Sequence, residues 1–426
     1  MRAFSRAASA PRSVRVATTG LALVGAAALV LTGCSTGGSS EPTAAPAGDL
    51  TYKIGTALPV TGNLAFLGPP EIAGTEYAAA EINDAAKGIT IDLIQGDSGD
   101  TDNKAYETEI PRLLGEGVTA IIGAASSGTS LQFIDQVVGA EVIQFSPANT
   151  SAAFTTYDDN DLYFRTAPSD VLQGQVLGNL IAEDGAATLG MIVLNDSYGT
   201  GLAEFTTEAF EAAGGEVVAA PTYNTGDTNF SAQVSEVLAA APDAIALITF
   251  AEVSQMVPEL IAAGYPAEKL YLVDGNLSNF GEEFPAGTLL GAKGTYPAVD
   301  PSTITDFRTA VEEFWVAEGN DALSDFTYAP ESYDAIIVLA LAALAAGSTD
   351  GPAVAAKLQE VSGGSGDGEK CTTFAACADI INGGGVADYD GVSSPIAFDE
   401  VGDPTEASIG IFQYGEDNNY EFVRLG

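Results

Sequence analysis

Histidine is missing altogether from this chain of 426 residues. Its absence removes every Ser-His or Cys-His catalytic pair, and with them imidazole as a metal ligand or proton shuttle. Cations are scarce too: 15 Lys+Arg stand against 58 Asp+Glu, a formal net charge of −43. A phosphate backbone needs cationic partners, so nucleic acid is excluded as a partner. Cysteine occurs three times, and without histidine or a richer set of thiols no zinc site can be built. The phosphate-cradling glycine motifs are also lacking. There is no G-x-x-x-x-G-K-S/T, and Gly383-Gly384-Gly385 does not belong to a G-x-G-x-x-G between strand and helix. The acidic run Asp97-Ser98-Gly99-Asp100-Thr101-Asp102 lacks the Gly and Glu that an EF-hand places sixth and twelfth. It reads as a solvated loop capping a helix from Asn103. Carboxylates are so abundant that no single pair marks a glycoside hydrolase. The expectation is a chain with no cofactor, no metal and no catalytic residues.

The chain opens with Arg2, Arg6, Arg12 and Arg15 and no acidic residue, followed by an apolar run from Val16 through Leu31 and then Thr32-Gly33-Cys34. A charged start, an apolar stretch and small residues before a cleavage point read as a secretory signal. Leu31-Thr32-Gly33-Cys34 resembles the lipobox of bacterial lipoproteins, which implies that Cys34 becomes the first residue and carries a diacylglyceryl group. A plain signal-anchor helix is the alternative. Residues 1–33 are then a lipoprotein signal peptide. The Ser-, Gly- and Pro-rich stretch that follows makes 34–50 a flexible tether. No later run reads as apolar and long enough to cross a membrane. Cys371 and Cys377, six residues apart, suit a local disulfide in an oxidising compartment, worth about 2 kcal/mol for so short a loop. A free pair is the alternative.

From Leu50 onward short β-rich runs alternate with helical ones. The strand candidates are Tyr52–Leu58, Ile89–Gln95, Thr119–Gly123, Val142–Phe145, Leu189–Leu194, Glu216–Ala220, Ala244–Phe250 and Lys269–Val273. Helical spacing puts Ile72, Ala79, Ile82 and Ala86 on one face of 71–87, and Val176, Leu177, Leu180 and Ile181 on one face of 170–183. That rhythm predicts parallel sheets covered by helices. It pauses at Tyr163-Phe164-Arg165-Thr166-Ala167-Pro168 and restarts, which makes two α/β lobes. Later come helices near 303–317 and 328–346, a loop over 361–369, and a terminal hairpin. Its arms are Ile396–Asp399 and Ser408–Tyr414, turned by Gly402-Asp403-Pro404.

Ligands of open α/β sheets settle beyond the strand carboxyl ends. In the first lobe those ends carry Ser126-Ser127-Gly128-Thr129-Ser130 and Ser146-Pro147-Ala148-Asn149-Thr150. Hydroxyls and free N–H groups at a helix start suit a carboxylate. The second lobe offers Asn195-Asp196-Ser197-Tyr198-Gly199, then Thr249, Phe250 and Glu252, then Asp274-Gly275-Asn276. A zwitterion lying between the lobes would satisfy both sides.

Residues 50–426 resemble the bacterial periplasmic binding proteins for leucine, isoleucine and valine, the substrate-binding subunits of an ABC importer. The likeness rests on Ile54-Gly55-Thr56-Ala57-Leu58-Pro59-Val60-Thr61-Gly62, on Gly117 through Gly123, on Phe145 through Thr150, on Phe164 through Asp170, on Asn195 through Gly199, and on Phe398 through Pro404. It implies a periplasmic binding protein type I fold: two doubly wound parallel-sheet lobes joined by a three-crossover hinge near 166–168, 295–297 and 400–406. Lobe 1 would hold 51–166 and 297–400, and lobe 2 would hold 167–296 and 401–426. By the same resemblance Ser127, with Ser126 beside it, and Thr150 would hold a ligand carboxylate. Tyr198 would pack over the ligand and Asp274 would take its ammonium. Either Thr249 or Phe250 faces the ligand, and Leu67 stands where the family often has a large aromatic residue. The implied partners are an amino acid, the permease and ATPase subunits of the importer, and the membrane through lipid on Cys34. The implied location is the outer face of the cell membrane. An extracytoplasmic sensor of amino acids, amides or urea is the alternative function.

Overall fold

Glycine-bounded runs rich in Ile, Val and Ala form the strands, and their burial records where each lies. Ile89–Ile94, at a sheet edge, alternates buried and exposed residues along its first half, whereas Ala120–Gly123 and Ile143–Ser146 are buried throughout, as expected for strands covered on both faces. The computed structural model describes residues 49–426. The signal, Cys34 and nearly all of the tether lie outside the described residues.

In chain order the first sheet and its helices comprise β1 (Leu50–Ala57), α1 (Gly68–Ala85), β2 (Ile89–Ile94), α2 (Tyr106–Gly115), β3 (Ala120–Gly123), α3 (Ser127–Val138), β4 (Ile143–Ser146) and β5 (Tyr163–Arg165). These strands pair in parallel in the order β2-β1-β3-β4-β5. The second set runs α4 (Asp170–Glu183), β6 (Thr188–Leu194), α5 (Ser197–Ala212), β7 (Glu216–Ala219), β8 (Thr222–Tyr223), α6 (Ser231–Ala239), β9 (Ala244–Ile248), α7 (Val253–Ala262), β10 (Leu270–Val273) and β11 (Lys293–Pro297). It repeats the topology: β7, β6, β9, β10 and β11 lie side by side in that order, with β8 also on β6. In each lobe the strand order therefore reverses beside the first strand, between β1 and β3 and between β6 and β9. Such a switch point leaves a crevice at the strand carboxyl ends.

The chain then returns to the first lobe with α8 (Thr305–Ala317), α9 (Ala329–Ala346), α10 (Gly351–Val361), β12 (Glu369–Cys371), α11 (Phe374–Asn382) and β13 (Ala387–Tyr389). Side chains of α9, α10 and α11 share one apolar core with Ile54, Ile122 and Phe145 of the first sheet. Cys371 and Cys377 are disulfide-bonded, tying β12 to α11. By length and composition α9 does pass for a membrane span, contrary to the expectation that no such run follows the signal. However, 83% of it is buried against protein, and it packs on α1, α10 and α11 as a core helix.

Two further expectations are corrected. The terminal hairpin pairs differently: β14 (Ile396–Phe398) returns onto β15 (Pro404–Glu406) around Gly402-Asp403. That frees β16 (Ile409–Tyr414) to join the second sheet antiparallel to β11, with β17 (Tyr420–Leu425) at the edge. The second sheet is thus mixed, not wholly parallel. The acidic loop neither caps the helix nor lies wholly in solvent: the helix starts at Tyr106, three residues later than expected, its N-cap Ala105 offers no side-chain bond, and Ser98 and Asp100 are buried. Asp97 Oδ1 accepts the N–H groups of Val60, Thr61 and Gly99 at 2.8–3.1 Å, and Asp100 accepts those of Asn63, Asp102 and Asn103 at 2.8–3.0 Å. Its carboxylates are spent on holding the β1–α1 loop.

Candidate functional site

The first-lobe half of the crevice is built from two turns at the ends of β3 and β4. Ser126 caps α3, its Oγ accepting the Thr129 N–H at 3.2 Å. The first N–H groups of a helix have no partner within it, so this end remains a donor site. The turn is fixed from behind: Ser146 Oγ donates to the Ala124 carbonyl at 2.7 Å, and Asn149 Nδ2 donates to the carbonyls of Ala124 and Ala125 at 2.9 and 2.8 Å. Ser127 Oγ accepts the Ser151 N–H at 3.2 Å. Below lies Arg165, 0% exposed, whose guanidinium grips Asp403 at 2.6 and 2.8 Å and the carbonyls of Asn149 and Ser151 at 3.2 and 2.8 Å. A buried pair of this geometry is chiefly a positional device, since desolvation offsets much of its attraction. Here it fixes the β4 turn relative to the third crossover.

The second-lobe half centres on Asp274, 4% exposed, at the end of β10. Its Oδ1 accepts from Tyr198 OH at 2.6 Å and Gln173 Nε2 at 3.0 Å, and its Oδ2 accepts from Tyr328 OH at 2.8 Å. Burial pushes the carboxyl up from its ordinary range, and these donors oppose that shift. Tyr198 leads α5, capped by Asp196, whose Oδ1 accepts the Gly199 N–H at 2.7 Å. Its ring stacks on Phe250 with centroids 5.4 Å apart. Gly275 follows because a Cβ there would lie 2.8 Å from the Phe250 ring and 2.9 Å from the Tyr198 hydroxyl.

Between the halves is a small cavity. Six of the expected residues line it: Leu67, Ser126, Ser127, Tyr198, Phe250 and Asp274. Leu64, Ala125, Ala148 and Tyr328 complete the wall. Two expected residues are not on that wall. Thr249 points back, its hydroxyl donating to the Phe250 carbonyl at 3.2 Å and accepting from Asn276 Nδ2 at 2.8 Å, so Phe250 is the one that faces inward. Thr150 is buried with its hydroxyl unpartnered, and its carbonyl accepts the Asp170 N–H at 2.6 Å. Tyr328 and Gln173 were missed because neither follows a strand. One precedes α9 with a left-handed φ of 62°, and the other lies in the first turn of α4.

The lobes meet directly. Asn63 Nδ2 donates to Glu252 Oε1 at 2.6 Å, and Ser151 Oγ donates to the Ser197 carbonyl at 2.9 Å. A Cβ on Gly128 would stand 2.7 Å from Asp196 Oδ2. Leu64, Leu67, Ala125 and Ala148 belong to the same apolar cluster as the strands of the second sheet. The crevice is closed. Behind it Asp170 is fully buried with both carboxylate oxygens unpartnered, and burial together with nearby Asp274 pushes its pKa well above the carboxylate range. Asp196, at the contact with Gly128, is pushed up to about 6, chiefly by burial. One side of the cavity thus offers hydroxyls and amide donors, and the other a carboxylate held by three donors, with apolar walls between.

The family model for periplasmic binding proteins matches residues 51–376. The chain is similar to Leu/Ile/Val-binding protein homolog 2 of Brucella abortus, 26% identical over 388 residues that cover 87% of this chain and 93% of the relative. It is also similar to the chemotactic signal transduction system substrate-binding protein BasB of Halobacterium salinarum. That match is 25% identical over 292 residues and covers 66% of each chain, just under two thirds of the relative. Among solved structures, it superposes on the branched-chain amino acid transporter substrate binding protein LivJ of Streptococcus pneumoniae in complex with isoleucine. The TM-score is 0.68 at 22% identity, covering 88% of this chain and 99% of the other. With two lobes of repeated topology closed over a shared crevice, the chain belongs to the periplasmic binding protein family and has its type I fold.

Proposed function

We propose that this protein is the extracytoplasmic substrate-binding lipoprotein of an ABC importer and that it carries a branched-chain or other small amino acid between its lobes. The observation that carries the reading is the pairing of opposite chemistries in one cavity: Asp274 on one lobe, and the α3 start with Ser126 and Ser127 on the other. Burying a zwitterion is costly unless both charges find partners. The ammonium goes to Asp274, and the carboxylate goes to the Ser126–Ser127 turn, with Thr150 adjoining. Leu64, Leu67, Ala125, Ala148 and Phe250 leave an apolar space for a short side chain. Relatives named for leucine, isoleucine and valine, and a solved structure holding isoleucine, support the ligand class.

In this reading the lobes, 51–166 with 297–400 and 167–296 with 401–426, swing about three crossovers. Ligand favours the closed form through contacts that only that form supplies. The closed protein docks on the permease and its ATPases, tethered by lipid on Cys34, and the ligand leaves chemically unchanged. A thermal-shift panel of amino acids, amides and urea on residues 35–426 tests this. A rise in melting temperature confined to amino acids is expected by mass action, and a rise with urea or amides alone would sink it. The likeness to BasB favours one second reading, a receptor that reports the same ligand to a signalling partner.

A further inference from the structure

A second cavity near the hinge lies outside the crevice between the lobes. It sits on the flank, where the second crossover leaves β11, and measures about 260 Å³. Residues of both lobes wall it. The crossover itself (Pro297 to Val299) and Arg308 of α8 lie on one side, and Phe412 and Phe422 of the β16–β17 hairpin lie on the other. Its floor is aromatic: Tyr296 stacks on Phe412 with centroids 4.4 Å apart, and Tyr420 meets Phe412 edge-on at 5.2 Å.

Arg308 is the only cation on this wall. Its guanidinium carbon lies 4.5 Å from the centroid of the Phe326 ring, and its Nε, shut off from solvent, has no hydrogen-bond partner among the described residues. A guanidinium held flat on a ring can turn its terminal N–H groups to an acceptor, and a planar carboxylate matches that fork best. Three acidic side chains share the wall with Arg308: Asp325, Glu331 and Glu421, the last exposed to solvent. Asp325 is occupied by the Thr327 N–H at 3.1 Å and the Ser324 hydroxyl at 3.4 Å. Burial pushes Glu331 up to about 8, which lessens its negative charge near neutral pH.

We propose that this flank cavity is a second binding site, for a small aromatic carboxylate whose acid group meets Arg308 and whose ring lies among Tyr296, Phe412 and Tyr420. Tyr328 lines both this cavity and the crevice, so the two sites share a wall. A ligand here touches both lobes and holds them at one angle.

The test uses sodium phenylacetate as probe, with phenylacetamide and phenethylammonium for comparison, by titration calorimetry on residues 35–426. Saturable phenylacetate binding with Kd below about 1 mM is expected. Arg308→Gln should weaken it at least about tenfold, as loss of a charge-assisted pair does. Val299→Trp, which fills the cavity, should abolish it, and this variant decides the matter if Arg308→Gln folds poorly. Leu67→Trp, which fills the crevice instead, should leave it within about twofold. Three results overturn the proposal: no saturation by phenylacetate, equal or tighter binding of phenethylammonium, or loss of phenylacetate binding in Leu67→Trp with retention in Val299→Trp.

Discussion

The two halves of the crevice solve unlike problems by unlike means. The first-lobe half carries no charge of its own at the wall. It offers hydroxyls and the start of α3, and its precision comes from the Ser146–Asn149 turn and the buried Arg165–Asp403 pair behind it. The second-lobe half stakes everything on one carboxylate, Asp274, steadied by Tyr198, Gln173 and Tyr328. Distributed dipoles degrade gradually when one member is lost, whereas a single buried charge fails all at once. The effects of substitution should therefore differ in size between the halves.

The largest effect is expected at Asp274→Asn. The shape is kept, but a buried ammonium is left without a counter-charge, and the best ligand of the thermal-shift panel should weaken by roughly 2 kcal/mol or more, about 30-fold. Calorimetry giving unchanged affinity would remove the asymmetry between the halves. Next comes Gly128→Ala, which touches neither anchor. Its new methyl meets Asp196 across the interface, and overpacking there should weaken binding about tenfold by opposing closure. Small-angle scattering of the liganded variant should then report a more open molecule. Ser127→Ala should cost about 1 kcal/mol, roughly fivefold, because the neighbouring donors remain. A loss equal to that of Asp274→Asn would refute the distributed-dipole account.

The smallest effect is one of pH. Asp196 titrates near 6 in the closed protein against an ordinary Asp value of about 4. Between those values the folded form holds more protons than the unfolded chain, so stability falls as pH rises through the window from about 4 to about 6 and levels off above it. Asp196→Asn keeps a capping side chain and should flatten that part of the melting-temperature profile. A slope identical to that of the parent would exclude Asp196 as its source.

Much of this architecture was legible because parallel strands announce themselves as short apolar runs, and because function gathers where such strands end. Ser126, Ser127, Tyr198, Phe250 and Asp274 all follow strands, and all line the crevice. Leu67 does not follow a strand and was reached through family likeness. Tyr328 and Gln173 had no comparable signal, since crossovers bring them from helix starts that look ordinary in one dimension. Thr150 and Thr249 show the opposite failure. A hydroxyl at a strand end reads as a ligand donor, yet neither residue lines the crevice: Thr249 is held by Phe250 and Asn276, and Thr150 is buried next to that wall. The terminal hairpin was misassigned for a related reason. The apolar run Ile409–Tyr414 marks a strand but not its partner, and Pro404–Glu406 is too polar and exposed to announce itself.

The return of β16 and β17 to the second sheet has a consequence for how the molecule comes into being. Neither lobe is contiguous: the first waits for α9 through α11, and the second has its β11 edge bare until β16 and β17 arrive. Asp403, the anchor of Arg165, lies 238 residues beyond it in the chain. Each half therefore assembles only after distant segments have been synthesised, and a nonsense mutation upstream of 403 removes both the Asp403 anchor and the β16–β17 edge of the second sheet.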